Sequence, residues 1–119
     1  MERPIVYFNP GCGQARGALE ILRARGVEFD VIEYLKTPLA RGELERMVTM
    51  LDAPPAELVR KDKRFAALGL DAEAYRTADQ VVTLLLEHPE LMQRPVVVRG
   101  GRAVIARPAE KVLEFLGIE

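Results

Sequence analysis

An α/β sandwich on a mixed four-stranded sheet is the fold the sequence predicts, and three observations carry it. The chain opens with a β-rich run, a helical stretch and a second β-rich run; its middle shows only helical spacing; and two apolar runs flank a Gly-Gly pair near its end. A β-α-β opening makes parallel, right-handed pairs, whereas a hairpin on a two-residue turn is antiparallel, so the sheet must be mixed. A chain of 119 residues fits one domain, spanning residues 1–119, and buries roughly two-thirds of the surface that its unfolded form exposes.

The elements follow in order. Ile5-Val6-Tyr7-Phe8 is a short strand ended by the turn signal Asn9-Pro10-Gly11. From Ala15 to Arg25, apolar residues at 15, 18, 19 and 22 keep helical spacing, and Gly26 is a natural residue just past the helix. Val27 to Leu35, rich in Val, Ile, Phe and Tyr, is the second strand. Leu44, Met47, Val48 and Leu51 mark one helix face, closed by Pro54-Pro55, with a short helix at Ala56–Val59. The basic run at residues 60–64 reads as a solvated face. Thr77 and Gln80 form a capping box ahead of a helix over Val81–Glu87, and Pro89 stops it. Pro95–Arg99 and Arg102–Ala106 pair around Gly100-Gly101, and a last helix runs from Pro108 to Leu116. The order β-α-β, helical insertion, β-β-α is that of a thioredoxin-like fold.

Composition removes several function classes. Seventeen Lys and Arg against eighteen Asp and Glu leave a net charge of −1, without the basic excess of a nucleic-acid binder. No apolar run nears the ~20 residues of a membrane span, and the start has no long apolar stretch of a signal peptide. One cysteine, Cys12, excludes an internal disulfide and fits a reducing cytoplasm. One Cys and one His make a structural zinc site improbable, so no metal and no bound cofactor are expected.

Cys12 sits between the first strand and the first helix. A thiol beside free N–H groups at a helix start has its thiolate stabilised by those donors and by the helix dipole. Gly11 and Gly13 leave the backbone uncrowded, so an anion can approach the same groups, and Arg16, one turn in, can add positive charge. A phosphatase loop needs Arg six positions after the cysteine, where Ala18 stands; a dithiol loop needs Cys three positions on, where Ala15 stands. Redox chemistry at Cys12 therefore needs a second thiol from another molecule, through a mixed disulfide.

The hairpin supplies the next candidates. With Gly100-Gly101 as the turn, Val98 faces Ala103, Val96 faces Ile105, and Arg94 faces Arg107. Opposed guanidinium groups repel unless an anion lies between them. Arg99 and Arg102 are opposed at the exposed tip by the same count. Arg94 and Arg107 stand at the hairpin base, each followed by a proline; Pro95 opens its strand, where a missing N–H is tolerated. In thioredoxin-like folds such a proline, often cis, faces the active-site cysteine. Arg60 ends a short helix, where arginine commonly complements the dipole.

Taken together, Tyr7-Phe8-Asn9-Pro10-Gly11-Cys12-Gly13, Glu33-Tyr34-Leu35-Lys36-Thr37-Pro38, Leu58-Val59-Arg60-Lys61, Arg94-Pro95-Val96-Val97-Val98 and Ala106-Arg107-Pro108 resemble the ArsC-type arsenate reductases of the ArsC/Spx-like group, which draw on glutathione and glutaredoxin. The resemblance implies Cys12 as nucleophile on arsenate or a similar oxyanion, Arg60, Arg94 and Arg107 as anion binders, glutathione as co-substrate, and glutaredoxin or another external thiol as partner. Gly13 and Arg16 join the substrate-binding set, and Asn9 and Pro95 shape the site. Many relatives have His where Phe8 stands, Ser where Ala15 stands, and Ser, Thr or Lys where Gln14 stands. The thiol is thus expected to be more acidic than a free one, though less so than in those relatives. Two other functions fit the same features: a thiol oxidoreductase with another substrate, and an Spx-like regulator that contacts RNA polymerase, although such regulators commonly carry a Cys-x-x-Cys that Ala15 breaks.

Overall fold

The computed structural model describes residues 2–118, which form a four-stranded sheet in the order β2-β1-β3-β4 with helices on both faces. The strands are β1 (Ile5–Phe8), β2 (Asp30–Glu33), β3 (Val96–Arg99) and β4 (Arg102–Ile105). The helices are α1 (Gly13–Ala24), α2 (Arg41–Met50), α3 (Lys63–Ala67), α4 (Ala78–Glu87) and α5 (Lys111–Leu116). β1 pairs parallel with β2 and antiparallel with β3, and β3 pairs antiparallel with β4. This is the mixed, thioredoxin-like sheet that the element order predicts.

Strand alternation sorts the core into two layers. Val6 and its partner Val97 face α1 and α5, packing with Leu19, Leu22, Val112 and Phe115. Tyr7 and its partner Val96 face the helical insertion, packing with Leu44, Met47, Val81 and Leu85. A one-residue slip would exchange the two sets, so the pairing register is strongly specified. The hairpin register matches the count from the glycine turn: Val96 opposes Ile105, Val98 opposes Ala103 and Arg99 opposes Arg102. Gly100 and Gly101 have φ of +59° and +80°, the left-handed pair that a type I′ turn needs. At the tip the two like charges diverge onto α5. Arg102 stacks 5.1 Å over the Phe115 ring, and Arg99 Nη2 donates to the Leu116 carbonyl at 3.4 Å.

Several boundaries differ from expectation, each for a local reason. β2 begins at Asp30 rather than Val27, because Val27 N–H donates to Leu22 (3.0 Å) and Gly26 N–H to Arg23 (3.1 Å), closing α1 with a Schellman turn. It ends at Glu33 because the N–H groups of Lys36 and Thr37 both turn back to the Glu33 carbonyl. α2 stops at Met50, and Leu51 bridges to Ala103 instead of extending the helix. The segment over Pro55–Leu58 is a 3-10 turn. α5 starts at Lys111, three residues after Pro108. The 60–64 run is only partly a solvated face: Asp62 Oδ1 accepts from Phe65 N–H at 3.2 Å and starts α3, which buries Phe65.

The capping box at α4 forms as expected: Thr77 Oγ1 accepts from Gln80 N–H at 3.2 Å, and Gln80 Oε1 accepts from Thr77 N–H at 3.0 Å. Thr77→Ala is expected to lower unfolding stability by about 1 kcal/mol, read as a lower urea midpoint at unchanged slope. Among the described residues, no helix is long and apolar enough to cross a membrane.

Candidate active site

The sheet topology brings one end of every strand to a common edge. Because β1 and β2 are parallel and β3 runs against β1, Phe8, Glu33, Val96 and Ile105 all lie there. From this edge emerge Asn9 to Cys12, Tyr34, Arg94-Pro95 and Arg107. Residues distant in the chain therefore meet at the carboxyl ends of the parallel strands, the place where α/β sheets take ligands.

Asn9 shapes the loop that carries the thiol. Its Oδ1 accepts from Gly11 N–H at 2.9 Å, and its carbonyl accepts from Cys12 N–H at 3.0 Å. A Cβ on Gly11 would stand 3.3 Å from that Asn9 oxygen, a tight contact that glycine avoids. Cys12 is the N-cap of α1, in extended conformation, and its carbonyl accepts from Arg16 N–H at 3.1 Å. The helix includes Gly13 and Gln14, ahead of the expected start at Ala15. Gln14 Oε1 accepts from Ala109 N–H at 2.9 Å, tying the head of α1 to the segment that leads into α5.

Cys12 is 8% exposed. Arg107 Nη1 donates to Cys12 Sγ at 3.4 Å and to the Arg94 carbonyl at 2.9 Å; Sγ lies 3.9 Å from the same carbonyl. Burial pushes the thiol's pKa up, but the Ala15 N–H, the Arg107 and Arg94 side chains and the Gln14 N–H together outweigh it and hold it below the ordinary value. Ala15, which lacks a hydroxyl, thus acts through its backbone. Alkylation of Cys12 should accordingly rise with pH to a midpoint below ~8.5, the free-cysteine reference; a midpoint at or above that value would contradict this placement.

The Arg94–Pro95 and Arg107–Pro108 peptide bonds are both cis, and Pro95 is buried at the head of β3. Strand pairing proper stops at Val96 and Ile105, with one further bond from Ala106 N–H to the Pro95 carbonyl at 2.9 Å. Arg94 and Arg107 therefore do not simply oppose each other. Arg107 turns onto the sulfur and the Arg94 carbonyl, whereas Arg94 Nη1 donates to the Glu90 carbonyl at 3.2 Å. Arg94 Nε is buried and has no partner among the described residues.

Arg60 and Arg16 lie further out. Arg60 Nε bonds Asp62 Oδ2 at 3.2 Å, with the arginine side chain 21% exposed. It shares with Arg94 and Cys12 a common neighbour, the Tyr34 phenol: burial pushes that phenol up to about 12, and all three charges act on it. Arg16 donates from Nη1 to the Pro10 carbonyl at 2.8 Å and passes near Gly13, bracing the loop from its solvent side rather than touching the thiol. The geometry thus brings together Cys12, Arg94 and Arg107, sets Arg60 across Tyr34, and leaves Arg16 outside.

Sequence reasoning assigned no role to three residues here. Tyr34, only 1% exposed, reads from the sequence as part of a strand; its place one residue beyond the carboxyl end of a parallel strand is the signal that marks it. Asp62, which both starts α3 and holds Arg60, was hidden in a charge run. No local signal marks the long-range bond from Gln14 to Ala109.

A family model described as the ArsC family matches residues 7–115. An arsenate reductase of Escherichia coli is 39% identical over 117 residues, covering 98% of this chain and 82% of that protein. One of Rhizobium meliloti (strain 1021) is 39% identical over 112 residues, covering 93% and 79%. Among solved structures, an arsenate reductase from Vibrio cholerae superposes with a TM-score of 0.82 at 33% identity, covering 94% of this chain and 96% of that one.

Proposed function

We propose, for a chain that belongs to the ArsC family, that it is an oxidoreductase that reduces arsenate to arsenite through Cys12. The observation that carries this reading is the contact between Arg107 and Cys12 Sγ at the head of α1. It joins an activated sulfur to a cation that can bind the oxyanion. Arsenate is a tetrahedral anion near neutral pH, so a thiolate must approach a negative centre. Arginine makes charge-assisted bonds to such anions and offsets the repulsion, and the unpartnered Arg94 Nε supports a second donor at the same place.

In the first step the Cys12 sulfur forms a bond to arsenic, and an arsenate oxygen leaves as water with the thiol's proton; arsenic stays pentavalent. The N–H groups of Gln14 and Ala15 stabilise the thiolate, and Arg94 and Arg107 neutralise charge on the oxygens. An external thiolate such as glutathione then attacks the Cys12 sulfur. The new S–S bond forms as the S–As bond breaks, the electron pair stays on arsenic, and trivalent arsenite departs. A further thiol, from glutaredoxin or glutathione, exchanges with the mixed disulfide and restores Cys12.

Arsenite release measured with arsenate, glutathione and glutaredoxin tests the reading. Release that needs arsenate and an external thiol is the expected result. Absence of release, with ordinary thiol exchange at Cys12, would refute it and leave an oxidoreductase of another substrate.

A further inference from the structure

We propose that the groove along the outer edge of β4, between Lys61 and Lys111, seats the backbone of a short zwitterionic peptide thiol, the external reductant that attacks Cys12. The inference rests on the reading of Cys12 as a nucleophile without an internal resolving thiol. An outside thiol must reach the sulfur of a residue that is only 8% exposed, and Arg107 links that sulfur to the groove: it touches Sγ at 3.4 Å and also lines a cavity of about 480 Å³. That volume falls within the range of small-ligand sites.

The chemistry of the walls selects the occupant. Lys61 and Lys111 offer cations for carboxylates, whereas Asp52 and Glu57 offer anions for an ammonium group. Gln93, on the same wall, holds a buried Oε1 without a hydrogen-bond donor among the described residues. A polyanion or an apolar ligand would meet at least two wrong partners here. A small peptide with an amine and two carboxylates meets none.

The sheet edge suits an extended backbone. Because Ala106 N–H donates to the Pro95 carbonyl, Val96 and Ile105 form a non-hydrogen-bonded pair, and the Ile105 N–H points outward. The neighbouring chain covers this edge only as far as Ala103, whose carbonyl accepts from Asp52 N–H at 3.0 Å. The peptide can therefore accept from the Ile105 N–H, the first bond of a strand addition, while the Ile105 carbonyl already accepts from Arg107 N–H at 2.9 Å. The Arg94 carbonyl, nearest the sulfur, already accepts from Arg107.

The test uses thiol exchange without arsenate. Cys12 is first converted to its mixed disulfide with thionitrobenzoate. Glutathione, mercaptoethanol or a reduced glutaredoxin is then added in separate runs: the incoming thiolate forms a disulfide with Cys12 as the aryl thiolate leaves with the electron pair, and its absorbance gives the rate. Lys111→Glu and Lys61→Ala together are expected to slow glutathione about tenfold and leave mercaptoethanol within about twofold, because two partly exposed ion pairs are lost. Lys61 Nζ also donates to the carbonyls of Ala56 and Val59, so Lys111→Glu alone, at an exposed residue, carries the test with about a threefold loss if the double variant misfolds. Equal slowing of both thiols, or no slowing of either, would overturn the proposal. So would slowing confined to a glutaredoxin, which would assign the groove to a protein partner. A chain that discriminates glutathione in this way yet releases no arsenite would refute only the arsenate reading.

Discussion

Replacing Cys12 with serine is expected to end arsenite release, a loss of the order of a thousandfold or more, with the fold intact. The substitution keeps the size of the side chain and its place at the head of α1. It removes the group whose charged form the site stabilises, because a serine hydroxyl stays protonated where this thiol ionises. It also removes the atom that must change partner twice, first to arsenic and then to an external sulfur. No second cysteine can substitute for it. Circular dichroism and the urea midpoint should stay close to those of the wild type, since the loop is held by Asn9 and by backbone bonds that serine retains. Turnover of Cys12→Ser at the wild-type rate would overturn the mechanism.

Arg107→Ala is expected to cost about a hundredfold in kcat/KM for arsenate, with Arg107→Lys recovering only part of it. The guanidinium does two things through one nitrogen: it donates to the sulfur, and it fixes itself on the Arg94 carbonyl. Its loss removes a cause that lowers the thiol's pKa while burial, which raises it, remains. The pKa therefore moves up. The alkylation midpoint of Arg107→Ala should lie above that of the wild type, and the kinetic deficit should shrink as pH rises through that midpoint and the thiolate returns. Lysine restores the charge but not the planar guanidinium that can bind an oxyanion through two parallel bonds. Arg94→Ala should also produce a large loss, with a smaller upward shift in thiol pKa, because the Arg94 side chain lowers it less than Arg107 does and the carbonyl that anchors Arg107 survives in alanine. An unchanged midpoint in Arg107→Ala would show that the arginine does not stabilise the sulfur.

The fold was legible where chemistry is local. A glycine pair fixed the hairpin register, and from that count Arg94 and Arg107 could be placed at one end of a strand pair. Apolar spacing located α1 and α2, and Thr77 and Gln80 located the start of α4. The position of Cys12 between a strand and a helix followed from the turn signal at Asn9-Pro10-Gly11. What could not be read is how side chains behave once strands end. Strict opposition of Arg94 and Arg107 assumed that pairing continues beyond Ile105, whereas Arg107 N–H already turns back to the Ile105 carbonyl. Arg16, one helical turn from the thiol, was expected to serve the anion, but the Pro10 carbonyl lies closer to its reach. Tyr34 stayed hidden because a buried aromatic at a strand end looks like core until the sheet order shows which edge it faces. α3 stayed hidden because Phe65 is the only buried anchor in a short charged segment.

The account turns on a bond between the sulfur of Cys12 and arsenic, and arsenic X-ray absorption reads that bond directly. Protein incubated with arsenate, with no other thiol present, should show one sulfur in the first coordination shell of an arsenic that is still pentavalent, and Cys12→Ser should show oxygen alone. An all-oxygen shell in the wild type, under conditions where added glutathione supports arsenite release, would contradict it.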